Sequence, residues 1–455
     1  MLLQEIEGQI EFPSNQVLSI EFLRNAFFEK LSPRFLPFRF VVTELSESHC
    51  LFEAGGFNVD VPTTLNAPDL FQFRKRKFEN QSDFNVALLI PTGVGAELGG
   101  HAGDAGPIAK LFAEICDNVV LHPNVVNASD INEQPENALY VEGSVLTRML
   151  MGSIGLRRVR SNRILVVIDE HEDKYFTNSA INSVNAARAT YGLNCPEVVR
   201  LESPVKMRVR FSTSGRAAGR VESIDSLWNL LEERRDDFDA VALSSIINVP
   251  SSFHQGYFDA DGEMVNPWGG VEALLSHSVS TCFNIQSAHS PMFENKAIAN
   301  KDPGVVDSRM AAEAVSVTFL QCILKGLVKS PRIELDEKTF DSPDVFSVED
   351  VSCLVIPDGC IGLPTFAALE QGIPVITVRS NENIMAKVND FALLPWQRGQ
   401  LMYADSYFEA AGLMCALKAG IDPASCVRPL NLAKSSTYGE LAEAKGVKPM
   451  KVTKS

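Results

Sequence analysis

Phe84-Asn-Val-Ala-Leu-Leu-Ile-Pro-Thr-Gly-Val-Gly-Ala-Glu-Leu-Gly-Gly-His-Ala-Gly-Asp-Ala-Gly-Pro107, followed by Ile108-Ala-Lys-Leu-Phe-Ala-Glu-Ile-Cys116, is the stretch whose reading decides the fold. Phe84–Ile90 is a short apolar run of strand type, and Ile108–Cys116 is apolar at helical spacing. Strand, glycine-rich loop and helix is the arrangement that turns backbone N–H groups toward an anion. Gly93, Gly95, Gly99, Gly100, Gly103 and Gly106 allow positive φ and close approach of a ligand, and Pro107 suits a first helical position. The loop matches neither G-x-x-x-x-G-K-[ST] nor a strict G-x-G-x-x-G, and the following strand, Val119-Val-Leu-His-Pro123, ends without an acid. The expectation is a ligand loop contacted through Thr92 and the glycines, in which Gly95→Val or Gly100→Val removes binding and spares the fold.

The same alternation continues outward. Ile164-Leu-Val-Val-Ile168 is an uninterrupted apolar run of the kind buried on both faces of a parallel sheet, and Ala240-Val-Ala-Leu-Ser-Ser-Ile-Ile247 reads as a further buried strand. Cys353-Leu-Val-Ile-Pro357, the turn Asp358-Gly-Cys-Ile-Gly-Leu-Pro-Thr365, the helix Phe366-Ala-Ala-Leu-Glu-Gln371 and the strand Ile373-Pro-Val-Ile-Thr-Val378 form a complete βαβ unit. Asp358, Gly359, Gly362 and Thr365 stand at its helix start, where an anion would feel the helix dipole, and Asn381, Glu382 and Asn383 lie just past the next strand. Residues 1–83 read as a small α+β appendage, with a helix over 20–31, strands near 38–43 and 50–53, and a basic cluster, Arg74-Lys-Arg-Lys77, taken as a solvated linker. The loop from Pro250 to Gly270 is long enough for a lid. The expected division is 1–83 appendage, 84–330 α/β domain with the glycine-rich loop, 331–430 second Rossmann-like α/β part and 431–455 polar tail; the fold class is α/β with two parallel-sheet parts.

Composition narrows function. A formal net charge of −16 argues against nucleic acid and anionic membrane as partners. Nine cysteines without a C-x-x-C pair read as reduced core thiols, and no secretory signal or apolar span is present, so a cytoplasmic location is expected. The histidines show no metal spacing, and no metal site or named cofactor is expected. His101 with Asp104 in the glycine-rich loop, His289 after a strand, and Glu382 are the candidate catalytic groups. His122 and His277 are read as structural, Arg309 and Glu313 as a surface pair, and Cys360 as a weak nucleophile candidate near a helix start.

Ile90-Pro-Thr-Gly-Val-Gly-Ala-Glu-Leu-Gly-Gly with Ala102-Gly-Asp-Ala105, His122-Pro-Asn-Val-Val-Asn127, Asn137-Ala-Leu-Tyr-Val-Glu-Gly143, Ala288-His-Ser-Pro291 and Thr318-Phe-Leu-Gln-Cys-Ile-Leu-Lys-Gly-Leu327, in that order, resemble the uncharacterised family called domain of unknown function 3326. That family occurs in bacteria, cyanobacteria and plastid-bearing eukaryotes, and the resemblance covers residues 84–390. It implies no established reaction. Gly359-Cys-Ile-Gly-Leu-Pro-Thr-Phe-Ala-Ala-Leu-Glu370 with Gly372-Ile-Pro-Val-Ile376 is more loosely similar to the nucleotide-sugar half of B-type glycosyltransferases and sugar-nucleotide epimerases. That similarity implies a diphosphate at the helix start, although Glu370 comes late after Thr365 and Gln371 replaces the family's alanine.

The sequence therefore predicts an enzyme acting on a small anionic or phosphorylated metabolite, a nucleotide sugar among the options. The alternative is a non-catalytic metabolite-binding or assembly protein, and a homo-oligomer is left open. The 91–107 loop, the 288–291 turn and the 358–365 helix start should face one cleft.

Overall fold

The computed structural model describes residues 1–59, 68–259, 263–316 and 318–435. Two sheets organise the α/β fold. The first has six parallel strands in the spatial order Leu401–Ala404, Val375–Val378, Cys353–Pro357, Asn85–Leu88, Asn118–Leu121 and Ala138–Tyr140. Val86, Ala87 and Leu88 are fully buried, as are Val119 to Leu121 and Cys353 to Val355, which is why these segments are unbroken apolar runs.

Strand order reverses where Asn85–Leu88 pairs with Cys353–Pro357, in the register Cys353 opposite Val86 and Val355 opposite Leu88. From the first of these strands the chain steps outward to 118–121 and 138–140. From the second it steps the other way, to 375–378 and 401–404. This is a topological switch point, and the loops leaving the two strands open a crevice at the carboxyl edge. The 91–107 loop and the 358–365 turn are those two loops.

The second sheet has nine strands and is mixed. Val198–Leu201, Ile164–Asp169, Ala240–Asn248 and Gln286–Met292 run parallel. Ala240–Asn248 forks: Ala240 to Ile246 pair with Gln286 to Met292, while Ile247 and Asn248 pair with Met207 and Arg208. Beyond the fork, Lys206–Phe211, Ala217–Glu222, Leu2–Glu11, His49–Asn58 and Phe35–Leu45 continue antiparallel.

The expected division of the chain is not the division into sheets. The first sheet draws strands from both sides of residue 330, and the strands of 1–83 extend the second sheet rather than hang from it. The reason lies in the hairpin 35–58, which is apolar on both faces. One face packs Phe40 and Phe52 on Phe27 of the helix Ile20–Lys30, with ring centroids 5.2 and 5.1 Å apart. The other puts Phe38 and Phe57 in a core with Leu274, Val279 and Trp228. Two ion pairs lock the join, Arg39–Glu5 at 3.0 Å and Arg216–Glu53 at 2.5 Å. Arg74 and Arg76 are a staple rather than a solvated linker. Arg74 grips both oxygens of Glu349, and Arg76 donates to the carbonyls of Val351, Gln371 and Gly372.

The 250–270 segment holds the helix Ser251–Asp259; its residues 260–262 and the tail from 436 lie outside the described residues. Among the described residues no helix is long and apolar enough to cross a membrane.

Candidate functional site

The carboxyl edges of the parallel strands of both sheets meet over a cavity of about 350 Å³. The first sheet contributes Thr92, Ala102, His122 to Asn124 and Glu142. The second contributes Ile247, Val249, His289, Met292 and Glu294. The helix Trp268–Phe283 forms one wall with Gly269, Glu272, Ala273, Ser276 and His277. Offsets of three, four, seven and eight residues from Gly269 put these side chains on one helical face.

Two histidines of the cavity, His277 on this helix and His289 on the strand Gln286–Met292, each stand beside a glutamate. His277 Nε2 lies 3.1 Å from Glu142 Oε1, and its buried Nδ1 has no hydrogen-bond partner among the described residues. His289 Nδ1 lies 3.2 Å from Glu272 Oε1, and its buried Nε2 likewise has no partner. The His289 ring is thus oriented by a hydrogen bond to Glu272, whereas His277 stands beside Glu142 at 3.1 Å, and one nitrogen of each ring has no partner among the described residues. Glu142 itself is held by the Ser144 N–H and hydroxyl and by the Ser276 hydroxyl. Burial pushes Glu142 up to about 7 and drives His277 well below the ordinary histidine value. The 16 % of the His277 side chain that is accessible opens into the cavity.

Glu313 stands on another wall. It accepts from the Ala102 N–H at 2.8 Å, the Tyr257 hydroxyl at 3.2 Å and Asn266 Nδ2, and burial pushes it up to about 7. Arg309, its expected surface partner, pairs instead with Asp307 and Glu97. His122 accepts the Ile90 N–H through Nε2, and burial drives it down to about 4, so it is a neutral acceptor that shapes the 90–92 turn.

A smaller cavity of about 150 Å³ adjoins the first and shares Thr92, His122, Gly143 and His277 with it. Pro91, Val94, Cys360, Ile361, Gly362, Leu363 and Thr365 line it, so the two switch-point loops do meet in one pocket. Residues 288–291, which lie within the strand Gln286–Met292 rather than in the expected turn, meet the glycine-rich loop in the larger cavity instead. The expected single cleft is two adjoining spaces that share four lining residues.

The glycine-rich loop is not an open anion cradle. Gly99 donates to Asp104 Oδ1, Ala102 to Glu313 and Leu98 to Asn381 Oδ1, so internal carboxylates and an amide hold N–H groups expected to face a ligand. Its glycines serve close packing. A Cβ at Gly100 would stand 2.0 Å from the Ala96 carbonyl oxygen, one at Gly103 2.0 Å from Ala128 Cβ, and one at Gly99 2.7 Å from Ile90. Gly93 and Gly95 abut Ala217 and Val265. The expectation that Gly100→Val spares the fold is therefore corrected.

Of the remaining expected residues, His289 and Thr92 line the larger cavity. His101 is buried behind it, with Nδ1 2.7 Å from the Tyr257 hydroxyl. Asp104 lies under the loop; burial pushes it up to about 7, and its Oδ2 has no hydrogen-bond partner among the described residues. Glu382 is exposed and away from both cavities, contributing only its carbonyl to the Glu97 N–H. Asn381 joins the Leu98 backbone to the Tyr407 hydroxyl, and Asn383 caps the turn at Ile384. Asp358 accepts from Thr377, and Gly359, at φ +76°, packs on Ala386. Thr365 donates its hydroxyl to the Cys360 carbonyl. These five shape the switch-point loops from within. Cys360 is buried, and its thiol is pushed up to about 12, which removes it as a nucleophile. Glu142 and Glu272 escaped the sequence reading and Glu313 was read as half of a surface pair, although the helical spacing of Gly269, Glu272, Ser276 and His277 carried a signal for the wall.

A protein-family model described as protein of unknown function (DUF3326) matches residues 85–427. An uncharacterized lipoprotein of a Synechococcus species is 30% identical over 343 residues, covering 74% of this chain and 92% of that relative. No solved structure matches. The match spans both walls of the larger cavity and both switch-point loops, and the chain belongs to the DUF3326 family.

Proposed function

We propose that the protein is an acid–base enzyme that moves protons on a small metabolite bound in the larger cavity. The observation that carries this is the pair of histidines, His277 and His289, lining one cavity, with His289 hydrogen-bonded to Glu272, His277 3.1 Å from Glu142, and one nitrogen of each ring without a partner among the described residues. A carboxylate at one nitrogen fixes the tautomer and ring orientation and leaves a lone pair at the other nitrogen to accept a proton. His277 suits the base, because burial keeps its ring neutral near pH 7. His289 faces the same space from the neighbouring strand and is the partner that returns the proton. Glu313, pushed up to about 7, is a further proton carrier in the same space. Perturbed groups gathered in a cavity favour an enzyme over a passive binding module.

The charge of the walls bears on the ligand. Glu272, Glu294, Glu313, Asp259 and Asp302 line the larger cavity with Lys301 as their cation. The reacting end of the substrate is therefore not anionic, and we take it as a carbonyl or hydroxyl carbon, with any anionic group elsewhere in the site. A thermal-shift screen over hydroxy and oxo acids, sugars, sugar nucleotides and phosphorylated acids tests the reading, because a ligand that binds only the native state raises the melting temperature. Hits should lose their shift in a His277→Phe, His289→Phe double variant. A shift unchanged in that variant places the ligand outside the larger cavity and counts against the proposal.

A further inference from the structure

Arg148 sits on the helix Gly143–Leu150 and lines the smaller cavity with Thr147 and Met151. Its Nη2 donates to Asn284 Oδ1 at 2.7 Å, and its Nη1 is buried without a hydrogen-bond partner among the described residues. The other two arginines of that cavity are already neutralised, Arg39 by Glu5 and Arg216 by Glu53. Burial pulls Arg148 down to about 10, so it is still cationic at neutral pH. A buried guanidinium with no carboxylate of its own is costly unless something else supplies the negative charge.

The rest of the lining narrows what that can be. Phe38, Phe40, Leu70, Val94, Met151 and Ile361 make most of the wall apolar, and the start of the helix Leu363–Gln371 adds a favourable dipole end. An apolar cavity of about 150 Å³ has room for a group the size of a benzene ring. A strongly hydrated dianion is poorly matched to such walls, whereas a monoanion on a short hydrocarbon arm is well matched.

We propose that the smaller cavity is a carboxylate subsite, in which Arg148 Nη1 pairs with the carboxylate of a short-chain acid whose carbon chain lies along the apolar wall toward His277. The substrate class is then a small aliphatic carboxylic acid bearing its reactive carbon in the larger cavity. The position of the reacting end rests on the acid–base reading; binding at Arg148 does not, because it is measured without turnover.

The test uses the full-length protein and titration calorimetry with butanoate, butanamide and inorganic phosphate. Butanoate should bind about tenfold or more tighter than butanamide, the difference a single good ion pair supports. Arg148→Met should abolish that preference, and Arg148→Lys should retain part of it, with the melting temperature of each variant reporting that it is folded. Comparison of the three probes on the unaltered protein keeps the test decisive even if a variant misfolds. Equal binding of acid and amide, tighter binding of phosphate, or no binding of butanoate at millimolar concentration would each overturn the proposal. Such a failure leaves the histidine pair untouched, whereas loss of proton transfer with the carboxylate still bound would count against the histidines alone.

Discussion

His277 Nε2 and Glu142 Oε1 stand 3.1 Å apart across the junction of the two cavities, one residue from a helix wall and the other from the end of a strand of the opposite sheet. Burial drives His277 well below the ordinary value near 6.5. Nitrogen-15 NMR on the folded protein should therefore find His277 neutral from pH 8 down through the window in which an exposed histidine titrates. A His277 signal that titrates with a midpoint near 6.5 would remove it as the resting base.

Glu313 yields a stability prediction with a definite sign. Its folded value is raised to about 7 from an ordinary 4.5, so between those values the folded state holds a proton the unfolded chain releases. The carboxyl's favourable contribution is complete below 4.5 and is lost as pH rises through about 7. Glu313→Gln keeps an acceptor for Ala102, Tyr257 and Asn266 and does not titrate. The variant should gain on the wild type by on the order of 1–3 kcal/mol between pH 4 and pH 8. A difference in melting temperature that is flat across that range would contradict it.

Two glycines of the same loop should respond oppositely to alanine. At Gly103 a Cβ would stand 2.0 Å from Ala128 Cβ, on a backbone with φ +76°, whereas at Gly106, the first residue of its helix, nothing lies within 4 Å. Gly103→Ala should cost roughly 3 kcal/mol or more, and Gly106→Ala should be neutral or stabilising by up to about 1 kcal/mol. Urea unfolding of the two variants reads this directly.

The N-terminal strands should prove inseparable from the rest. Arg216 and Glu53 are each 2 % exposed and lie 2.5 Å apart, so Glu53→Ala leaves a guanidinium buried without its partner. The expected loss is about 3–5 kcal/mol. Removing the exposed pair Lys110–Glu133 should change stability by less than about 1 kcal/mol.

The elements were legible in sequence wherever burial on both faces forced an unbroken apolar run, as at 84–90, 164–168, 240–247 and 353–357. Their partnership was not. Val86 pairs with Cys353 across most of the chain, and periodicity carries no record of which parallel strand lies beside which. The glycines of 93–103 were misleading for a physical reason: a ligand and a packed neighbour both require a missing Cβ, and only coordinates tell them apart. Glu313 looked like half of an i,i+4 pair with Arg309, but the chain turns it inward onto Tyr257. His277 sat in a helix with no motif around it; its importance comes from Glu142, more than a hundred residues earlier.

The central claim is that His277 and His289 exchange protons with a bound small molecule, and deuterium wash-in tests it most directly. The protein is incubated in D2O with the small oxo and hydroxy acids that raise its melting temperature, and mass spectrometry reads deuterium at carbon. The account predicts incorporation by the wild type and a loss of about a hundredfold or more in both His277→Asn and His289→Asn, the size of a general acid–base contribution. Bound acid that gains no deuterium with the wild type, or gains it equally with both variants, would contradict it.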